Sequence, residues 1–135
     1  LRFHHPTLED WKHFSFCLFA GPLKKTKNGF KAKSAVAIRP GKVDRSPTGT
    51  AVCARMAVMN AQKKLDIGQT FEATSIIGSK FKGRIAATTK IGDRFAIIPE
   101  VSGRAWITGT AQFMLDPKDP WPEGYRLNDT WGAHE

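Results

Sequence analysis

A run that is apolar nearly all round, Ala51-Val52-Cys53-Ala54-Arg55-Met56-Ala57-Val58-Met59, most constrains what this chain can become, since only Arg55 interrupts it. A helix that is hydrophobic on every face belongs inside a fold rather than on its surface. The run is opened by a polar turn, Asp44-Arg45-Ser46-Pro47-Thr48-Gly49-Thr50. Asp44 and Ser46 are good N-cap types, and Pro47 suits a first helical turn. A helix start carries free N–H groups and a partial positive charge, so this turn is a seat for a carboxylate or phosphate. The pattern predicts a helix over 48–65, turning amphipathic through Gln62, Lys63 and Lys64. Gly68 follows closely and marks its end.

Strand patterns flank the helix. Lys12 to Ala20 alternates, which places Phe14, Phe16 and Leu18 on a face expected to be well buried, and Gly21-Pro22 ends it. Lysines crowd Leu23 to Lys33 around Asn28-Gly29, a hairpin-turn dipeptide. Ser34 to Arg39 is a second strand, stopped by Pro40-Gly41. Beyond the helix, Phe71 to Ile77 and Phe81 to Lys90 are separated by Gly78-Ser79. Arg94 to Val101 carries Phe95, Ile97 and Val101 on one face, and Arg104 to Leu115 alternates Ala105, Ile107, Ala111 and Phe113 inward. One buried helix with about six strands predicts an α+β domain, a barrel-like sheet wrapped around a central helix. From Asp116 onward Pro117, Pro120 and Pro122, with Trp121 and Trp131, predict an irregular tail that packs onto another surface.

A chain of 135 residues is one domain's worth. Its 21 basic and 12 acidic residues leave a formal charge of +9. Such a balance raises nucleic acid or an anionic membrane as partners, but no nucleic-acid-module fingerprint is present. No apolar run approaches the roughly 20 residues of a membrane span, and no signal-peptide pattern opens the chain. Neither a nucleic-acid nor a membrane partner is therefore expected. Cys17 and Cys53 do not make a disulfide framework, so a reduced, cytoplasmic protein is the simpler expectation. The paired His4 and His5 invite a metal, but Pro6 disfavours helix at His5 and only His13 and His134 remain as imidazoles. No metal site is expected. The opening Leu1-Arg2-Phe3, without Met, fits a fragment or a processed product.

The turn and helix start, read as DRSPTGT-A-VC-AR from Asp44 to Arg55, resemble the second active-site motif of the proline racemase family, with Ala51 in place of a usual Gly. That family holds proline racemases, hydroxyproline epimerases and trans-3-hydroxyproline dehydratases. The likeness continues through Leu65-Asp66-Ile67-Gly68, Ser75-Ile76-Ile77-Gly78-Ser79-Lys80-Phe81-Lys82-Gly83 and Gly124-Tyr125-Arg126-Leu127-Asn128-Asp129-Thr130-Trp131. The Cys-Gly-His segment of the family's first motif is absent. The resemblance therefore implies a second, C-terminal lobe over 1–115 with a tail over 116–135 packing on another lobe, and a two-lobed diaminopimelate-epimerase-like fold. A more acidic missing lobe would also explain the basic balance.

By the same resemblance, a proline or hydroxyproline-type substrate lies between lobes, no metal or organic cofactor takes part, and the full enzyme is a homodimer. Asp44 is implied to hold the substrate's ring nitrogen, and Gly49 and Thr50 to donate backbone N–H groups to its carboxylate. Thr48 stands where racemases and 4-hydroxyproline epimerases carry an acid/base Cys. A threonine hydroxyl is too weak an acid to replace that thiol. Thr48 therefore points to a trans-3-hydroxy-L-proline dehydratase, in which the missing lobe's Cys takes the α-proton and Thr48 orients the leaving hydroxyl or a water. Without the motif, Thr48 would be read as a cap, Asp44 as a turn residue and Gly49-Thr50 as a tight helix entry. Cys53, more than a turn into the helix, is expected to be a packed core thiol, and Arg55 to need an acidic partner. Two alternatives stay open: a racemase or epimerase using another group in place of Thr48, and a non-catalytic basic β-barrel binding module.

Overall fold

The computed structural model describes residues 4–11 and 13–124. Among them are seven strands and one helix: β1 (Phe16–Ala20), β2 (Lys24–Thr26), β3 (Gly29–Ile38), β4 (Lys42–Val43), α1 (Gly49–Ala61), β5 (Thr70–Thr74), β6 (Lys80–Ile91) and β7 (Arg94–Gly103). β1 and β2 pair antiparallel with successive halves of β3, Ala20 opposite Ser34 and Lys24 opposite Lys31. They run as one ribbon interrupted at Gly21-Pro22-Leu23, where the Gly21 N–H donates to the Lys33 carbonyl at 2.9 Å. The turn between β2 and β3 is Lys27-Asn28, and Gly29 begins β3 at φ 140°. A Cβ there would collide with the Thr70 carbonyl, so glycine lets β3 and β5 start side by side.

β3 and β5 are parallel, Phe30 opposite Phe71 and Ala32 opposite Ala73, and α1 lies in the crossover between them. From β5 the sheet meanders antiparallel through β6 to β7. Ala86 is an extra residue between the pairs Ile85–Pro99 and Ala87–Ile98. A bulge of this kind bends the strand and increases its twist. The resulting mixed sheet curls into a half-barrel around the single helix, an α+β lobe.

Alternation decides which side chains meet the helix. Ala32 of β3, Phe71 and Ala73 of β5, and Ile85 of β6 point inward and pack with Val52, Met56 and Met59 of α1 and with Leu65. Met56 is 0% exposed and lies over Gly83, where a Cβ would come within 2.6 Å of the Met56 sulfur. The absent side chain lets the helix lie directly on the sheet.

Several sequence expectations change here. α1 stops at Ala61, four residues earlier than Leu65, because Lys63 takes the left-handed conformation at φ 56°. The Lys63 N–H then donates to Asn60 O at 2.8 Å and the Lys64 N–H to Met59 O at 2.8 Å, the two bonds of a Schellman stop. Asn60 Nδ2 also donates to Leu65 O at 2.9 Å. The helix is covered on one side only, with Ala54, Val58 and Ala61 exposed. Phe14 and Phe16 are likewise exposed rather than on a buried face. A half-barrel has an inner wall on one side, so apolar groups on its other side stay exposed. Ile97 packs on the core, but Phe95 is exposed past the end of the helix, with the Lys90 Nζ 5.2 Å from its ring centroid.

The strand expected over 104–115 is not formed, since β7 ends at Gly103 and no regular element follows among the described residues. Ile107 and Phe113 are 93% and 92% exposed, so their alternation matches no partner strand among the described residues. The chain divides into two compact units at Ala105 and Trp106. In the second, as its prolines predict, residues 116–124 form only turns: Asp116 Oδ1 accepts the Lys118 N–H and Asp119 Oδ1 the Trp121 N–H, both at 2.9 Å. Trp131 and residues 125–130 lie outside the described residues.

Met56→Ala should destabilise the chain by about 2–5 kcal/mol in denaturant unfolding, because a cavity opens against Gly83. Val58→Ala, at a half-exposed position, should change stability by no more than about 0.5 kcal/mol. A comparable loss at both positions would show that the packing side of α1 is wrongly assigned. Gly83→Val should cost about 1–3 kcal/mol by over-packing the same contact.

Candidate active site

The chain leaves the β3–β4 hairpin with the Asp44 N–H donating to Val36 O at 2.9 Å, which fixes where the polar turn begins. Three short-range bonds then fold the turn. Asp44 Oδ1 accepts the Ser46 N–H at 3.0 Å, and Ser46 Oγ accepts the Thr48 N–H at 3.1 Å. The Thr48 hydroxyl donates to Asp44 Oδ2 at 2.5 Å. Pro47, between them, is fully buried.

These contacts over-determine Thr48, which sits at φ 60° and ψ 109°. A β-branched residue rarely adopts positive φ, and such strain persists only where the surroundings enforce it. Thr48 is the N-cap residue of α1, and its carbonyl accepts the first helical bond, from Val52 N–H at 2.9 Å. Its hydroxyl does not cap the helix, because it is turned toward Asp44. The N–H groups of Gly49, Thr50 and Ala51 therefore start the helix without a side-chain cap, and no acidic residue lies in the first turn. A positive helix end with open donors beside a carboxylate can hold both ends of a zwitterion.

Asp44 is suited to stay charged there. The Thr48 hydroxyl bond holds its carboxyl below the ordinary value, against the opposing effect of burial, and the Ser46 N–H adds to the lowering. Thr48, in turn, is a hydroxyl with its proton committed to a carboxylate, and it is only 8% exposed.

The sequence-predicted residues Asp44, Thr48, Gly49 and Thr50 are thus brought together within one turn. Cys53 is partly buried inside α1, and burial pushes its thiol up, which disfavours the reactive thiolate. The Nε of Arg55 is buried without a hydrogen-bond partner, so the acidic partner expected for it is not found among the described residues. His5 Nδ1 accepts the N–H groups of Thr7 and Leu8 at 3.2 and 3.1 Å, a turn-closing role. Among the described residues no three His, Cys, Asp or Glu side chains cluster to hold a metal, and no helix is long and apolar enough to cross a membrane.

One contact was not anticipated. Ser79, in the turn between β5 and β6, donates its hydroxyl to Arg45 O at 2.9 Å, and Ser75 Oγ lies 2.7 Å from Ser79 Oγ. Both serines stand in a segment that carried the family resemblance, but nothing local in that segment signals a contact with a turn 34 residues earlier in the chain.

The family model described as proline racemase matches residues 1–126. A probable proline racemase from Agrobacterium radiobacter, solved with bound carbonate, superimposes with a TM-score of 0.71 at 32% identity, covering 98% of this chain and 38% of that one. A hydroxyproline epimerase from Agrobacterium vitis, solved with bound trans-4-hydroxy-L-proline, also gives 0.71 at 32% identity, covering 98% of this chain and 37% of its own. The chain thus spans well under half the length of the relatives it matches. Its fold, its second-motif turn and these matches agree: the chain belongs to the proline racemase family.

Proposed function

We propose that this chain acts as the second, C-terminal lobe of a cofactor-independent enzyme that dehydrates trans-3-hydroxy-L-proline. The observation that carries the proposal is at Thr48, where the helix start presents a hydroxyl bound to Asp44 at 2.5 Å and no thiol. The open N–H groups of Gly49 and Thr50 receive the substrate carboxylate, where the helix dipole favours negative charge. Asp44, held ionised, pairs with the ring ammonium. A Cys on the companion lobe removes the α-proton.

Stereochemistry then decides the outcome. In the trans isomer the 3-hydroxyl lies on the same ring face as the α-hydrogen. The thiol that takes the α-proton can return it to the departing oxygen, so the C–O bond breaks, water leaves and a pyrroline carboxylate remains. Inversion instead requires a proton donor on the opposite face. Thr48 withholds one, since its only hydroxyl proton is given to Asp44.

A second reading is favoured by the two matched structures, a probable proline racemase and a hydroxyproline epimerase. In it another group serves the opposite face, and the reaction is racemisation or epimerisation. Under either reading the intact enzyme is a homodimer of two-lobed chains. Free Cys17 and Cys53 accord with a reducing, cytoplasmic setting.

The isolated chain should turn over neither trans-3-hydroxy-L-proline nor L-proline, because its base lies elsewhere; turnover of either would make Cys53 the first suspect. In an enzyme completed with a Cys-Gly-His lobe, 3-hydroxyproline should lose water while L-proline stays unracemised. Thr48→Cys should add α-deuterium uptake with inversion on proline or 4-hydroxyproline, since a thiol at a helix start is readily ionised, and should slow dehydration. Asp44→Ala should lower kcat/KM about 10- to 100-fold, the effect of losing a charged hydrogen bond. Deuterium incorporation and optical rotation measure these outcomes, and ready racemisation of proline by the Thr48 enzyme would favour the second reading.

A further inference from the structure

The turn between β5 and β6 is closed by its own backbone, with the Ser75 N–H donating to Ser79 O at 2.9 Å and the Gly78 N–H to Ser75 O at 3.1 Å. The hydroxyls of Ser75 and Ser79 are surplus to that closure. Both are nevertheless engaged, and in a direction that can be worked out. Ser79 Oγ has one proton and gives it to Arg45 O at 2.9 Å. In the 2.7 Å contact between the two serines, Ser75 must therefore be the donor. Ser75 is 2% exposed, so its hydroxyl is buried and has this partner. The result is a one-way chain, Ser75 to Ser79 to the Arg45 carbonyl, that crosses from one end of β5 to the turn carrying Asp44 and Thr48.

We propose that the Ser75–Ser79 hydroxyl pair is a positioning device for this site, setting the aim of the Asp44 carboxylate by fixing the Arg45–Ser46 peptide unit, whose N–H donates to it. The inference rests on the role given above to the Asp44–Thr48 turn. Arg45 is the one residue of that turn between the Asp44 carboxylate and the Ser46 N–H that it accepts. Anchoring its carbonyl keeps the Arg45–Ser46 peptide from rotating, and the N–H of that same peptide is the Ser46 donor to Asp44 Oδ1. Hydrogen bonds between serines polarise one another, so the buried Ser75 donor strengthens the Ser79 bond to Arg45 O. Each serine acts through the turn, by way of the Arg45 carbonyl.

The test uses the 135-residue chain and follows the Asp44 carboxyl carbon by NMR as pH is lowered. In the unaltered chain Asp44 titrates below its ordinary value of 3.8, because the Thr48 bond favours the charged form. The stabilisation tied to that bond is present above the unfolded value and lost as pH falls through the folded one. Ser79→Ala should move the Asp44 midpoint upward, toward the shift produced by Thr48→Val, while amide exchange in the β6–β7 hairpin stays unchanged. Ser79→Thr, which keeps the hydroxyl, should restore the midpoint. An unmoved Asp44 midpoint in a folded Ser79→Ala chain would overturn the proposal. Should that variant fail to fold, Ser79→Cys keeps the side-chain size with a weak donor, and the same upward shift is required of it. If Asp44→Asn leaves proline-type ligand binding in the completed enzyme unchanged, the role of Asp44 fails, whereas the titration still decides whether the serines position it.

Discussion

The contact between Met56 and the bare backbone of Gly83 governs the rest of this lobe. A helix seated on a sheet usually stands off by the length of the facing side chains. Here one of those side chains is absent, and the buried thioether fills the space above it. That seat fixes the height and rotation of α1, and the rotation decides which residues go inward. Val52, Met56 and Met59 follow, and the first turn of the helix is then carried to the rim of the sheet, where Asp44 to Thr50 meet it. The position of the candidate site is thus set by a packing contact two turns further along the helix.

At the rim, apolar packing gives way to short polar bonds. The Asp44–Thr48 turn has little apolar surface of its own apart from Pro47, and it holds a β-branched residue in an unfavourable backbone region. What makes this tolerable is the number of independent ties: two to Asp44, one to Ser46, one from Val52, and one from the neighbouring strand turn through Ser79. The useful product is that the Thr48 hydroxyl is drawn away from the helix axis. A threonine in an ordinary cap conformation would have spent that hydroxyl on the N–H groups that stay open at the helix start.

Much of this was legible in the residues. Turn dipeptides and alternation marked most strands, and the apolar run marked the helix, because those signals report local preference for a backbone shape or for burial. The four residues of the candidate site were legible because they fall within one short stretch that resembles a family motif. Periodicity does not report what covers an apolar face, and for that reason Phe14, Phe16, Ile107 and Phe113 read as buried and are exposed. Lys63 ends the helix in a conformation that lysine does not advertise, and Gly68 drew the eye instead. Ser75 and Ser79 escaped for another reason: a serine in a turn is so common that a long-range role leaves no trace in sequence.

The parallel pairing of β3 with β5 bears on how the lobe comes together as a polymer. The β5–β6–β7 meander closes through short turns, whereas the contact from Thr70 Oγ to Asn28 O spans 42 residues. Loop-closure entropy therefore weighs most on this one pairing, and contacts of such long range form slowly. The whole of the Asp44–Thr50 turn lies within that span. Its tie to Ser79 exists only after β5 has docked beside β3, so hairpins and helix can be in place while the candidate site is still unassembled. Opening of the same seam loosens the Asp44–Thr50 turn first and leaves the meander intact. The order of this turn thus reports on one late registration event more sensitively than secondary-structure content does.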